Sequence, residues 1–136
     1  MLRNIKLVKL KNHSDKRGSL FVIESMEEIP FEIKRIYYIC GVPSMETRGE
    51  HAHKTLKQAM ICLGGSCTIV IDDGEVRQSI ELNNPDEVLI LEPGLWREIK
   101  NFSHNATLMV LASEKYDEND YIRNYDEYLD YKLVKK

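Results

Sequence analysis

Arg48-Gly49-Glu50-His51-Ala52-His53-Lys54-Thr55-Leu56-Lys57-Gln58-Ala59-Met60-Ile61-Cys62-Leu63-Gly64-Gly65 is the stretch from which the rest of the chain is read. Apolar residues run unbroken from Ala59 to Leu63 and stop at a glycine pair, the pattern of a buried strand entering a tight turn. In an extended backbone successive side chains alternate faces, so His51 and His53 share one side, a pleat apart. Two imidazoles so placed can grip a metal, share a proton relay or hold a polar ligand. An isolated H-x-H is more often a pair of solvated histidines near a strand edge, so it needs support from the rest of the chain.

That support begins with further strands. Ile5 to Leu10 has strand character, and Asn12-His13-Ser14-Asp15 breaks it. Ser19 to Glu24 is a second short strand, followed by an acidic loop to Pro30. Ile33 to Cys40 alternates, with Arg35, Tyr37 and Ile39 on one face. Gly41 to Gly49 is a loop. Beyond the Gly64-Gly65 turn, Asp72-Asp73-Gly74 suits a type I′ hairpin. Strands follow near Val76–Leu82, Glu87–Leu91, Trp96–Phe102 and Thr107–Ala112. Short strands at about ten-residue spacing predict an all-β antiparallel sandwich or barrel. Only the tail, Glu118 to Tyr131, reads as a helix, with Tyr121, Tyr125 and Tyr128 at i, i+4, i+7 packing on the barrel exterior.

Bulk properties narrow the function. A chain of 136 residues is one domain, residues 1–136, large enough to bury a core. The net charge of −3 comes from interspersed signs, so no basic field recruits nucleic acid. There is no signal-peptide pattern and no apolar run long enough to span a bilayer, so no membrane partner is expected. Cys40, Cys62 and Cys67 form no C-x-x-C pattern and read as reduced core residues of a cytoplasmic protein.

Other residues have the chemistry for a site. Tyr37, on the face of Arg35, is a phenol able to pass a proton or a buried tyrosine bonded to backbone. Arg35 and Arg48 have the fork that binds phosphate, or they are surface ion pairs. Arg17, before a glycine in Asp15-Lys16-Arg17-Gly18, is a site residue or an ordinary loop residue. Trp96 is a flat wall for a ligand or, as is usual for a lone tryptophan, core.

A second stretch, Pro93-Gly94-Leu95-Trp96-Arg97-Glu98-Ile99-Lys100-Asn101, joins the first in resembling the paired motifs of the cupin superfamily. Gln58 stands where that pattern has its glutamate, and Arg97 where it has its last histidine. Two of four metal ligands would therefore remain. An amide is a poor ligand for a divalent cation and a guanidinium cannot be one. The resemblance implies a cupin-type jelly-roll barrel with a short C-terminal helix, whose former metal pocket works without metal or cofactor.

A closer resemblance is to the WxcM-like sugar-nucleotide 3,4-ketoisomerases. It is carried by Asp15–Leu20, Ile29–Ile39, Arg48–Lys54, Gly64–Gly74 and Val110–Asp126, nearly the whole chain. It implies a homodimer with exchanged N-terminal strands and a dTDP-linked 4-keto-6-deoxy sugar as substrate. The implied reaction removes the C3 proton beside the C4 ketone, passes through an enediol(ate), and leaves the ketone at C3. His51 is expected as the base, with Tyr37 and His53 as proton carriers or oxyanion donors. Arg35 and Arg48 would hold the diphosphate; Arg17 and Arg97 would border the sugar. Some members have histidine at the position of Arg97, so the product here is expected to be gluco in preference to galacto. The rivals are a 3,5-epimerase, a metal-dependent dioxygenase and a non-catalytic sugar-nucleotide-binding cupin.

Overall fold

Strand pairing in this chain is nested, and the nesting makes the fold. A computed structural model describes residues 2–135. Its strands are β1 (Ile5–Lys9), β2 (Arg35–Cys40), β3 (Arg48–His53), β4 (Gln58–Gly64), β5 (Cys67–Asp72), β6 (Arg77–Leu82), β7 (Glu87–Leu91), β8 (Trp96–Lys100), β9 (Thr107–Ala112) and β10 (Tyr121–Ile122), with one α-helix, α1 (Tyr125–Lys135). β5 pairs with β6, β4 with β7, β3 with β8 and β2 with β9, all antiparallel. A long hairpin paired in this way and rolled up is a jelly roll, here with sheets ordered β1-β7-β4-β9-β2 and β10-β3-β8-β5-β6.

Alternation along each strand supplies the core. Met60, Cys62, Ile69, Ile71, Leu89, Leu91, Leu108 and Val110 meet between the sheets. β4 and β7 carry apolar residues on both faces because both faces are covered. Their outer side chains, Ala59, Ile61, Val88 and Ile90, pack beneath Phe21, Ile23, Ile29 and Phe31 of the segment between β1 and β2. That segment holds the expected strand at Ser19–Glu24, but its backbone does not join a sheet and crosses the face as irregular chain.

The Asp-Gly hairpin also differs from expectation. Asp72 opposes Arg77, so the β5–β6 loop has four residues, and Asp73 Oδ1 accepts from the backbone N–H groups of Glu75 and Val76. Side-chain acceptance takes over what a two-residue turn would have done.

The tail is the largest departure. Glu118–Asp120 is a single 3-10 turn, Tyr121–Ile122 pairs with β3, and only Tyr125 onward is α-helical. Tyr125 and Tyr128 pack against Trp96 on the outer face of β8, as expected. Tyr128 donates to the carbonyls of Asp72 and Gly94. Tyr121 is on a strand, so the i, i+4 stripe does not include it. Cys62 and Cys67 are buried, whereas Cys40 is exposed because its parity on the edge strand β2 turns it outward. No helix among the described residues is long and apolar enough to cross a membrane.

Candidate active site

β2, β3, β8 and the β10 segment surround a cavity of about 510 Å³ inside one end of the roll. Arg35, Tyr37 and Ile39 line it from alternate positions of β2, as the period of two requires. Arg48 and His51 both line it from β3, although three residues apart they belong to opposite faces of a regular strand. A bulge reconciles them. Gly49 opposes Glu98 and His51 opposes Arg97, which leaves Glu50 as the extra residue, and Gly49 and Glu50 take φ of 81° and 57°. A side chain at Gly49 would put its Cβ 3.2 Å from the Arg97 carbonyl oxygen, so the bulge is built on glycine for space as well as for φ.

Hydrogen bonds assign the proton on each imidazole. His51 Nδ1 lies 2.9 Å from the carbonyl oxygen of Gly49, which can only accept. Nδ1 therefore carries the hydrogen, and Nε2 keeps its lone pair. His53 Nδ1 lies 2.9 Å from Asp120 Oδ2. Its Nε2 is buried and has no partner among the described residues. His53 is fully buried and outside the cavity's lining, with its ring 4.8 Å from that of His51 and 4.4 Å from that of Tyr121. Burial and then the Arg97 charge lower His51 to about 4. Burial, Arg97 and His51 lower His53 to about 3, against the pull of Asp120. Both rings are neutral at neutral pH.

Arg97 is the fully buried guanidinium of the cavity wall. It donates to the Leu95 carbonyl at 3.2 Å and to Gln58 Oε1, while Gln58 Nε2 donates to the Tyr37 hydroxyl at 3.0 Å. Burial lowers its pKa to about 10, which still leaves it a cation at neutral pH. Burial raises Tyr37, so its hydroxyl keeps its proton and can donate it. A guanidinium bonded to an amide occupies the place of two cupin ligands. No three His, Cys, Asp or Glu side chains converge in a metal-holding arrangement among the described residues. This donor set does not fit a divalent cation.

Arg35 has Nε and Nη2 buried without a protein partner, and its guanidinium stands 5.3 Å from the Tyr37 ring and 5.5 Å from that of Tyr116. Unpaired donors beside a cavity suit an oxyanion. Arg48 is exposed at the rim. Arg17 does not reach this cavity within the protomer: it is on an exposed turn, ion-paired to Asp15 at 2.6 Å. Trp96 faces the opposite side of β8 from Arg97, so it is core beneath α1 and not a ligand wall.

Sequence reading left out Tyr121, Arg123 and Asp120. Tyr121 and Arg123 line the cavity, with the Arg123 guanidinium 4.1 Å from the Tyr121 ring and bidentate to Glu118. Asp120 Oδ1 accepts from the N–H groups of Lys54 and Thr55 and from the Thr55 hydroxyl. The signal available was the density of polar residues in Tyr116–Arg123, which fits an amphipathic helix poorly. A larger cleft of 720 Å³ lies next to the site, bounded by Glu32, Lys34, Glu114 and Lys115. Its charges are mixed and it holds no imidazole, so the chemistry belongs to the smaller cavity.

Comparison with known proteins places these features among relatives. The family model described as FdtA, WxcM-like, C-terminal, matches residues 3–133. The TDP-4-oxo-6-deoxy-alpha-D-glucose-3,4-oxoisomerase of Aneurinibacillus thermoaerophilus is 48% identical over 126 residues, 93% of this chain and 91% of that protein. Among solved structures, QdtA, a sugar 3,4-ketoisomerase from Thermoanaerobacterium thermosaccharolyticum in complex with TDP, superposes with a TM-score of 0.96 at 48% identity, covering 99% of this chain and 98% of that one. The WlaRB TDP-quinovose 3,4-ketoisomerase of Campylobacter jejuni gives 0.91 at 49% identity, covering 95% and 99%.

Proposed function

The chain belongs to the WxcM-like, C-terminal family, and from that premise and the cavity's chemistry we propose that it is a 3,4-ketoisomerase acting on dTDP-4-keto-6-deoxy-D-glucose. The observation that carries the mechanism is the His51 ring, whose Nδ1 is committed to the Gly49 carbonyl beside the buried, uncompensated cation of Arg97. A neutral imidazole with a free Nε2 is a base for the C3 proton. A preorganised guanidinium stabilises the oxyanion that grows as the C4 carbonyl becomes an enolate. Tyr37, polarised by the amide of Gln58, donates to that oxygen, and His53 serves as a proton carrier behind the cavity wall.

The proton then leaves the C3 hydroxyl, C4 is protonated, and the ketone stands at C3. Atoms balance without a cofactor or metal. Arg35, with its unpaired donors, and Arg48 at the rim hold the diphosphate. The gluco 3-keto sugar is the product we favour, because position 97 carries no imidazole to cycle a proton at C4. Arg17 can border the sugar only from a second chain. A homodimer with exchanged N-terminal strands would be what brings it there. A charged sugar nucleotide does not cross bilayers, so we assign the enzyme to the cytoplasm.

The test is the NMR spectrum of dTDP-4-keto-6-deoxyglucose incubated with the protein in deuterated buffer. Loss of the C3 proton signal with appearance of a C3 ketone is expected. Deuterium at both C3 and C5 with the ketone still at C4 would make the protein a 3,5-epimerase. An unchanged substrate would leave a binding module.

A further inference from the structure

The carboxylate of Asp120 is fastened in an unusual way, and this defines a role for it. Its Oδ1 faces three donors, the N–H of Lys54 at 3.1 Å, the N–H of Thr55 at 2.7 Å and the Thr55 hydroxyl at 2.9 Å. Its Oδ2 faces only His53 Nδ1. A carboxylate held by two fixed amide donors has no freedom to turn. Its second oxygen can only accept, so it forces the hydrogen of His53 onto Nδ1 and leaves Nε2 bare. That bare nitrogen is buried without a protein partner, an arrangement that costs free energy unless bound substrate supplies one. The rings packed against the His53 ring, those of His51 and Tyr121, both line the cavity. Tyr121 is aligned with His53 by the β10–β3 register, so the 3-10 turn that ends in Asp120 sets the tautomer and the ring that screens it together.

We infer that Asp120 is a positioning residue that locks His53 in the Nδ1–H tautomer, which keeps Nε2 free for the proton-carrier role assigned to His53 above. The inference rests on the ketoisomerase reading. In the step, the O3–H bond breaks and its electron pair forms the C3 ketone, while the C3=C4 pair takes a proton at C4 from the imidazolium of His51. The O3 proton is held on His53 as an imidazolium paired to Asp120, then bonds to O4. Nothing is oxidised or reduced overall.

Asp120→Asn inverts the lock by geometry alone. The two backbone N–H groups at Oδ1 cannot accept an N–H opposite them, so the amide oxygen stays there and its NH₂ faces His53. Nδ1 must then accept, and the hydrogen moves to Nε2.

The readout is two-bond ¹H–¹⁵N correlation of the histidine rings, assigned with a His53→Gln control, together with the substrate assay. Wild-type protein is expected to show a protonated Nδ1 and a bare Nε2 at His53, and Asp120→Asn the reverse. Conversion to the 3-keto sugar should fall by about 100-fold or more in that variant, the range of a lost proton carrier. Deuterium exchange at C3, carried by His51, should fall by less than about tenfold, and the dissociation constant for TDP should stay within about twofold. Asp120→Glu, which keeps an acceptor, should hold the wild-type tautomer and recover part of the conversion. A wild-type Nε2–H tautomer would overturn the lock even if Asp120→Asn failed to fold. An inverted tautomer with unchanged conversion would overturn the relay. Failure of the ketoisomerase reading is seen separately, as wild-type protein that neither exchanges C3 nor moves the ketone.

Discussion

At the scale of single residues, burial keeps the imidazoles of His51 and His53 neutral beside the buried, charged guanidinium of Arg97. His51 falls to about 4 through burial and the Arg97 charge. Its activity as a base should therefore persist well below pH 6.5 and be lost only as the pH falls toward 4. The acid limb of the C3-exchange rate measures this, and a midpoint near 6.5 would contradict it. The same depressed values affect stability. The unfolded chain takes up protons on both histidines near 6.5, the folded chain only near 4 and 3. The unfolded state thus holds more protons between those values, and stability falls as pH drops through that window. Urea midpoints at pH 7 and 5 test it. His51→Asn should bind TDP normally yet lose C3 exchange by ~10²–10⁴-fold, the range for a general base. Arg97→His removes the buried charge that helps lower His51, so the acid limb should move up toward 6.5. It also adds an imidazole, and the C3–C4–C5 coupling pattern of the product should shift toward the galacto 3-keto sugar.

At the scale of elements, a two-residue bulge decides what β3 presents. Gly49→Ala should be destabilising by ~1–3 kcal/mol, since alanine is strained at φ 81° and meets the Arg97 carbonyl. Its denaturation midpoint and C3-exchange rate should fall together, because the bulge is what turns Arg48 and His51 to the same side. The H-x-H alternation and the β2 alternation of Arg35, Tyr37 and Ile39 were legible from the period of two. The bulge was not, because a glycine before Glu50 also fits a loop, and the reading ended the loop there. The tail failed for a different reason. Three tyrosines at helical spacing match a helix whether or not Asp117 and Asp120 break it first. Asp117 caps a 3-10 turn through the N–H of Asn119, and pairing with β3 overrides the helical period at Tyr121.

For the whole molecule, the roll supplies a closed interior and leaves one predicted site residue outside it. Arg17 is on an exposed turn, and the segment around it lies across the outer face of β4 and β7. Sedimentation equilibrium should give a dimer, and Arg17→Ala should lower turnover only if the turn enters a partner's cavity. Unchanged kcat and KM would leave Arg17 as a loop residue paired with Asp15. Arg48→Ala should weaken TDP binding by ~1.5–3 kcal/mol, the scale of a charge-assisted bond to phosphate. Turnover should also survive exhaustive chelation, since Gln58 and Arg97 occupy ligand positions with groups that do not hold a divalent ion. Loss with EDTA and return with a divalent cation would refute that.

Strand spacing and the period of two are local properties, and the sequence by itself determined them: an antiparallel sandwich or barrel, with Arg35 and Tyr37 on one face of a strand and His51 and His53 on one face of another. The jelly roll and the place of Arg97 in its pocket were what the family resemblance implied. Tertiary structure alone decided which ring faces the cavity and which is buried behind it. It also decided that Arg48 shares a face with His51, and that Asp120 and Tyr121, some 67 residues along the chain from His53, complete its surroundings. These depend on contacts between strands distant in sequence. A proton's place on an imidazole is set by what meets its nitrogens, and the spacing of residues along one strand carries no record of that.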